Sequence, residues 1–201
     1  LNDARESRCR DVLRKRQPDL TVVLEDITDP HNISAVLRTC DAVGIAAIHL
    51  IGTYEPYGKH LGSHSSASAF QWVNVHRHAD RESCAIAVRQ QVNTLLAACP
   101  DPGSADLYAL DLTQPVALVF GSEQHGLSPA MRALCDGMFS IPQVGMIPSL
   151  NISVACAVSL YEALRQRQNA GFYQSPRLKP AAREALYHQW QGREIYRKSE
   201  H

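Results

Sequence analysis

No two of the six cysteines form a C-x-x-C pair: Cys9, Cys40, Cys84, Cys99, Cys135 and Cys156 are scattered, mostly among apolar neighbours. That spacing offers no dithiol or thiolate-metal motif and points to small, reduced core residues in a cytoplasmic protein. Neither G-x-G-x-x-G nor the Lys-Ser/Thr that completes a P-loop is present, so both common nucleotide fingerprints fail. Internal repeats and low-complexity tracts are missing, which removes solenoids and disordered arrays. The apolar run Ile152–Leu160 is too short to span a bilayer, and nothing has the form of a signal peptide, so no membrane partner is expected. The histidine pairs His60/His64 and His76/His78 lack a third ligand at sensible spacing, so no metal is expected either. Two Asn-Ile-Ser triplets match the glycosylation pattern, but both open predicted buried helices.

What is there is an ordinary globular composition, 45% hydrophobic and 20% charged over 201 residues, enough for one domain with a sizeable core. The net charge of zero hides a segregation. Residues 1–18 carry six Lys/Arg against three Asp/Glu, residues 162–201 eight against four, and the remainder six against thirteen. Two basic ends flanking an acidic body suit an anionic partner gripped by the termini, although solvated helical ends would also be charged.

Periodicity predicts a basic amphipathic helix over 3–16, then strands and helices in alternation. Strands are expected at 21–26, 46–52, 72–76, 93–99, 116–121 and 138–142, and helices at 32–43, 81–91, 128–135 and about 151–168. A Gly-, Ser- and His-rich loop is expected from Thr53 to about Ser68. Apolar strands alternating with helices imply an α/β fold, a mostly parallel sheet with helices on both faces. In such sheets ligands bind at the carboxyl ends of the strands.

Three stretches carry the functional argument. In "PHNISAVLRTCDAVG" (30–44), Ile33, Val36, Leu37, Cys40 and Val43 make one buried stripe, while Arg38 lies opposite with His31 and Ser34 on its side. "VFGSEQHGLS" puts Glu123 between two glycines after a buried strand; alone, this reads as a tight turn with a solvated carboxylate. "IPQVGMIPSLN" is too apolar for a solvated loop and must either pack on other chain or line an apolar pocket. Ser149 or Asn151 would cap the helix that follows.

Taken together and in order, "DPHNISAVLRTCDAVG", "VFGSEQHGLS" and "IPQVGMIPSLNISVACAVSLYEALRQR" resemble the three motifs of the SPOUT-superfamily, TrmH-like RNA 2′-O-methyltransferases. The flanks "RQPDLTVVLE" and "RQRQNAGFY" are similar to the branch that acts on guanosine 18 of bacterial tRNA. The resemblance covers nearly the whole chain and is weakest at 53–70 and beyond Pro180. It implies a C-terminal trefoil knot, which general rules of chain topology would argue against. It also implies a homodimer and three segments: a basic helix at 1–18, a catalytic domain at 19–168 and a basic extension at 169–201.

The resemblance further implies S-adenosylmethionine as cofactor, wrapped by the apolar loop and lined at Ala98, Gly121, Ile141, Met146 and Leu150. Arg38 matches the catalytic arginine, with Asn32 its companion and Glu123, Ser149 and Asn151 the polar residues of the second and third motifs. Arg8, Arg16, His31, Arg165, Arg167 and Arg177 match positions that contact RNA. The implied reaction transfers the sulfonium methyl to the 2′-oxygen of guanosine 18 in the tRNA D-loop.

The resemblance makes the arginine the base that removes the hydroxyl proton. A guanidinium beside a phosphate holds its proton tightly, so a second role is open: binding the phosphate and orienting the ribose. Gln143, Pro148 and the "HSSASAF" stretch depart from the pattern, which leaves the target open to ribosomal RNA or another tRNA position. A relative that binds RNA without catalysis is the remaining alternative.

Overall fold

The structure, a computed structural model, describes residues 3–52 and 69–199, with only the backbone for 194–199. Chain order is α1 (Asp3–Arg14), β1 (Leu20–Glu25), α2 (Pro30–Val43), β2 (Ala47–Ile51), α3 (Ala69–Trp72), β3 (Asn74–His78), α4 (Arg81–Val88), β4 (Thr94–Ala98) and β5 (Ala105–Asp106). A 3-10 turn at Leu107–Ala109 leads to β6 (Val116–Phe120), α5 (Pro129–Leu134), β7 (Gly137–Ser140), α6 (Ile152–Asn169) and α7 (Pro180–Ser199). The expected loop at 53–68 lies outside the described residues.

All strand pairs are parallel, in the order β3-β2-β1-β6-β4-β7-β5. This is the α/β sheet expected from the alternating pattern. Side chains alternate between its faces. Val22, Leu24, Ile48, Leu118 and Phe120 join one core with α2 and α6, while Val23, Leu95, Ala97 and Val119 join another with α4 and α5. A third cluster, Cys9, Leu13, Leu186, Tyr187 and Trp190, joins α1 to α7, with Trp72 against it.

Local sequence explains the two helices that matter most. Asp29 caps α2 by accepting the His31 N–H at 2.8 Å, and Pro30 supplies the first helical φ. Gly44 ends it at φ 90°, where a Cβ would sit 2.7 Å from the Lys15 carbonyl oxygen. Between them Ile33, Val36, Leu37, Cys40 and Val43 are all buried, each large aliphatic contributing about 1.5–3 kcal/mol. Ser34, expected on the outer side with Arg38, is buried as well.

Helix α6 starts at its cap Asn151 and lays Ile152, Cys156, Leu160 and Ala163 against α2. β7 lies near one edge of the sheet, whereas α2 connects β1 to β2. Residues 141–151 must therefore travel back across the carboxyl ends of β4 and β6, and that crossing builds the site.

Some boundaries differ from expectation. Trp72 ends α3 rather than starting a strand: its ring packs edge-on against Trp190 at 5.1 Å, and the β3 ladder begins only where Asn74 N–H meets Ala46 O. β7 stops at Ser140 because its outer neighbour β5 pairs only with Phe139 and Ser140.

Candidate functional site

A cavity of about 420 Å³ opens at the carboxyl ends of β4, β6 and β7, under the first turn of α6. Of the five residues expected to hold a cofactor, Ala98, Gly121, Ile141 and Leu150 line it. Met146 does not. The residue is 99% exposed, because the loop turns outward between Gln143 and Pro148 and carries Val144 and Ile147 into solvent with it. Gln143 Nε2 makes a long hydrogen bond to the Pro148 carbonyl at 3.5 Å, so two of the departures from the family pattern face each other across this turn.

Gly121 has to be glycine. A Cβ there would lie 2.2 Å from the backbone of Gly126, because Ser122 and Gly126 pair across the turn and Gly126 N–H donates to Ser122 O at 2.8 Å. Gly126 itself has φ 64°, as expected of a tight turn. The far end is pinned by Ser128, whose hydroxyl caps α5 through the Met131 N–H at 3.0 Å. Ser128 is in turn held by the buried carboxylate of Glu25, which accepts its N–H at 2.8 Å and its hydroxyl at 2.7 Å. Arg81 closes the network with a charge-assisted hydrogen bond to Glu25. This brace was missed from sequence; its signal was a carboxylate ending the otherwise apolar run "TVVLE".

The three motifs meet in side-chain contacts at the mouth of the cavity. Asn151 Oδ1 caps α6 by accepting the Ser153 N–H at 2.9 Å, which leaves its amide free to donate to Asn32 Oδ1 at 3.2 Å. The Asn32 amide then donates to the Glu123 carboxylate. Ser149 lines the cavity with Glu123 and Asn151 but does not cap the helix. Cys99 also lines it, and burial pushes its thiol up, so it remains an inert wall rather than a nucleophile.

Arg38 is exposed on the outer face of α2, two turns from His31. It makes no hydrogen bond or ion pair with any described residue. It therefore stands apart from the Asn32–Glu123–Asn151 trio, with its guanidinium turned to solvent.

The six residues expected to contact RNA divide. Arg8, His31 and Arg165 are on the surface, Arg165 gripped by Glu162 at 2.7 and 2.9 Å. Arg16 and Arg167 correct the expectation, for neither side chain is exposed at all. Arg16 donates to Asp41 Oδ1 at 2.6 Å and to the Ile45 and Trp72 carbonyls at 2.8 and 3.1 Å. Arg167 donates to Asp19 Oδ1 at 2.6 Å and to the Leu112 and Gln114 carbonyls at 2.9 and 3.0 Å. Buried charges persist only when paired in this way, and these two arginines tie segments together. For Arg167 the signal was legible, since it continues the Cys156, Leu160, Ala163 stripe at helical spacing. Arg177 is also engaged, ion-paired to Asp19 and stacked over Phe172 at 3.8 Å.

Comparison with known proteins bears on the same region. The curated tRNA (guanosine(18)-2′-O)-methyltransferase of Thermus thermophilus is 41% identical over 188 residues, 94% of this chain and 96% of that one. The crystal structure of the Aquifex aeolicus TrmH/SpoU tRNA modifying enzyme superposes with a TM-score of 0.87 at 31% identity, covering 96% of this chain and 98% of that one. The SpoU methyltransferase AviRb of Streptomyces viridochromogenes, solved with its cofactor AdoMet, gives a TM-score of 0.69 at 31% identity over 79% of this chain and 61% of that one. The sequence profile described as the SpoU rRNA methylase family matches residues 19–161, from the start of β1 to the middle of α6. The chain belongs to the SpoU rRNA methylase family.

Proposed function

We propose that this protein methylates the ribose 2′-oxygen of guanosine 18 in the D-loop of tRNA, with S-adenosylmethionine as methyl donor. The observation that carries the reading is the convergence of Asn32, Glu123 and Asn151 at the mouth of one cavity, combined with a guanidinium, Arg38, left exposed and unengaged among the described residues. The Thermus relative's name supports the target.

The cavity suits the cofactor. Its volume lies in the ordinary range for small-molecule sites, and its lining mixes the apolar Ala98, Ile141 and Leu150 with carboxylates at Glu123 and Asp101. The close approach of 121 to 126 leaves backbone groups, rather than side chains, to face a ligand. When bound, S-adenosylmethionine supplies an electrophilic methyl group on a sulfonium. The 2′-hydroxyl would give up its proton to solvent as the methyl moves to oxygen and the sulfonium becomes a neutral thioether, so alignment of the two groups matters more than a charged anchor. Asn32, Glu123 and Asn151 hold the three motif loops in register. Arg38 binds a substrate phosphate and orients the ribose, a role that suits the planar donor fork of a guanidinium. Ser149 contributes a hydroxyl to the cavity wall.

Arg8 in the basic helix 1–18 grips phosphates together with His31 and Arg165 on the surface of the catalytic part 19–168, beside the basic extension 169–201. Arg16, Arg167 and Arg177 support that grip from within the fold. The return of 141–151 over the strand ends fits the trefoil knot expected of the family. A second copy of the chain would cover the exposed Val144, Met146, Ile147, Val154 and Tyr161, making a homodimer in the cytoplasm. No helix among the described residues is long and apolar enough to cross a membrane.

The test is transfer of labelled methyl from S-adenosylmethionine to unmodified tRNA transcripts, with nuclease mapping of the product. A 2′-O-methyl at guanosine 18 is the expected result; transfer to another tRNA nucleotide would overturn the target. The family's description favours ribosomal RNA as a second reading, so ribosomal RNA fragments belong in the same assay. Binding of cofactor and RNA with no transfer would leave an RNA-binding protein.

A further inference from the structure

On the face of the sheet away from α2 and α6, three ligand-type side chains converge from three elements. His49 on β2 is 2% exposed and Cys84 on α4 is wholly buried, while His78 on β3 is half-buried. One donor atom from each lies within 4.8 Å of the other two. The parallel register sets this up. His49 stands opposite His76, and His78 follows two residues on, so all three rings share one face under α4. The His49 ring stacks on both neighbours at centroid distances of 5.2 Å.

We propose that His49, His78 and Cys84 form a binding site for a zinc-class divalent cation, clamping β2, β3 and α4 at this edge of the sheet. The expectation of no metal rested on the lack of a third ligand beside the pair His76/His78; the cluster keeps only His78 of that pair and takes His49 and Cys84 from separate elements. Bond lengths of about 2.0–2.3 Å would put tetrahedral donor atoms roughly 3.3–3.8 Å apart, against donor atoms that lie within 4.8 Å of one another. Without metal, His49 Nδ1 and His78 Nε2 share a hydrogen bond at 2.9 Å. The other nitrogen of His49, Nε2, is buried with no hydrogen-bond partner. A buried ring nitrogen left unpaired is costly, and an ordinary packed histidine pair does not account for it.

Two imidazoles and one thiolate favour zinc or cobalt over calcium or magnesium, which take oxygen donors. His78 is the least buried of the three, and three protein donors would leave one tetrahedral position for a further ligand. Burial, with His76 and His78 adding to it, lowers the His49 pKa to about 3, which keeps the ring neutral and able to ligate. Burial likewise pushes the Cys84 thiol up to about 12, so coordination must displace its proton.

The experiment titrates cobalt(II) into the untagged, chelator-stripped full chain, followed by absorption. Saturation at one equivalent, with thiolate-to-cobalt charge-transfer absorption that zinc displaces, is the expected result. Cys84→Ala should abolish that absorption while circular dichroism stays unchanged. His78→Ala, at a half-buried position, should weaken binding by more than about 100-fold, since even outer-shell partners of a metal cost 10–100-fold. Absence of the charge-transfer band at excess cobalt would overturn the proposal. So would a band that survives Cys84→Ala, which would assign the thiolate to another cysteine. If Cys84→Ala fails to fold, unaltered cobalt affinity in His78→Ala overturns it in the same way.

Discussion

Asn32 on α2 and Asn151 at the start of α6 stand 119 positions apart in the chain, and their side-chain amides meet at 3.2 Å. One face of Asn151 caps its helix and the other holds Asn32, which in turn holds Glu123. Asn151→Asp keeps the capping oxygen but loses the donor to Asn32 and brings a second carboxylate towards Glu123. The expected outcome is a melting temperature within a few degrees of the parent with methyl transfer strongly reduced. Asn151→Ala should lose the cap as well, at about 1 kcal/mol. Equal activity of parent and Asn151→Asp would show that the trio has no part in turnover.

Arg38→Ala should abolish methyl transfer while leaving both stability and S-adenosylmethionine binding unchanged, because the side chain is exposed and outside the cavity lining. Isothermal titration with the cofactor, next to the transfer assay, separates the two. Loss of cofactor binding in a folded variant would contradict the role given to Arg38.

Gly121→Ala is a sharper perturbation than its size suggests. The new methyl would sit 2.2 Å from the Gly126 backbone, so the turn has to open. Cofactor affinity should fall at least about tenfold, with a smaller change in melting temperature; unaltered affinity would mean that this turn does not form the site.

Arg165 and Arg167 are two residues apart and should behave as opposites. Removing Arg167 leaves Asp19 with Arg177 alone and strips a donor from three backbone carbonyls, a loss of up to about 3–5 kcal/mol. That corresponds to a drop in melting temperature on the order of 10 °C. Arg165→Ala should barely affect melting but weaken tRNA binding and reduce the slope of affinity against salt. A thermal effect for Arg165→Ala as large as that for Arg167→Ala would overturn the division.

Glu162 supplies a pH dependence. Hydrogen bonds from Arg165 first, then Gln166, hold its carboxyl below the ordinary value. A depressed folded-state pKa stabilises above the unfolded value of about 4.3 and loses that contribution as pH falls below it. Glu162→Gln should therefore flatten the stability profile below about pH 4.5 and leave its shape at neutral pH unchanged. A profile parallel to the parent's throughout would remove Glu162 from the acid response.

Much of this protein was written locally. The alternation of apolar runs indicated strands and helices of an α/β sheet, the stripe from Ile33 to Val43 determined which face of α2 is buried, and Ser128-Pro129 determined the start of α5, because each is a pattern among residues close in the chain. Of the residues that line the cavity, the motifs carried Gly121, Ile141 and Leu150, and Ala98 came from the end of a separate strand, while Met146 turns outward with its loop. Charge was less legible. Arg16 and Arg165 read alike as basic residues, and only packing decides that one is sealed against Asp41 while the other faces water. The Glu25 brace and the His49, His78, Cys84 cluster were likewise decided by tertiary structure. Glu25 and Ser128 are distant in the chain, as are His49 and the nearby pair His78 and Cys84, and sheet register together with helix packing brings them within reach.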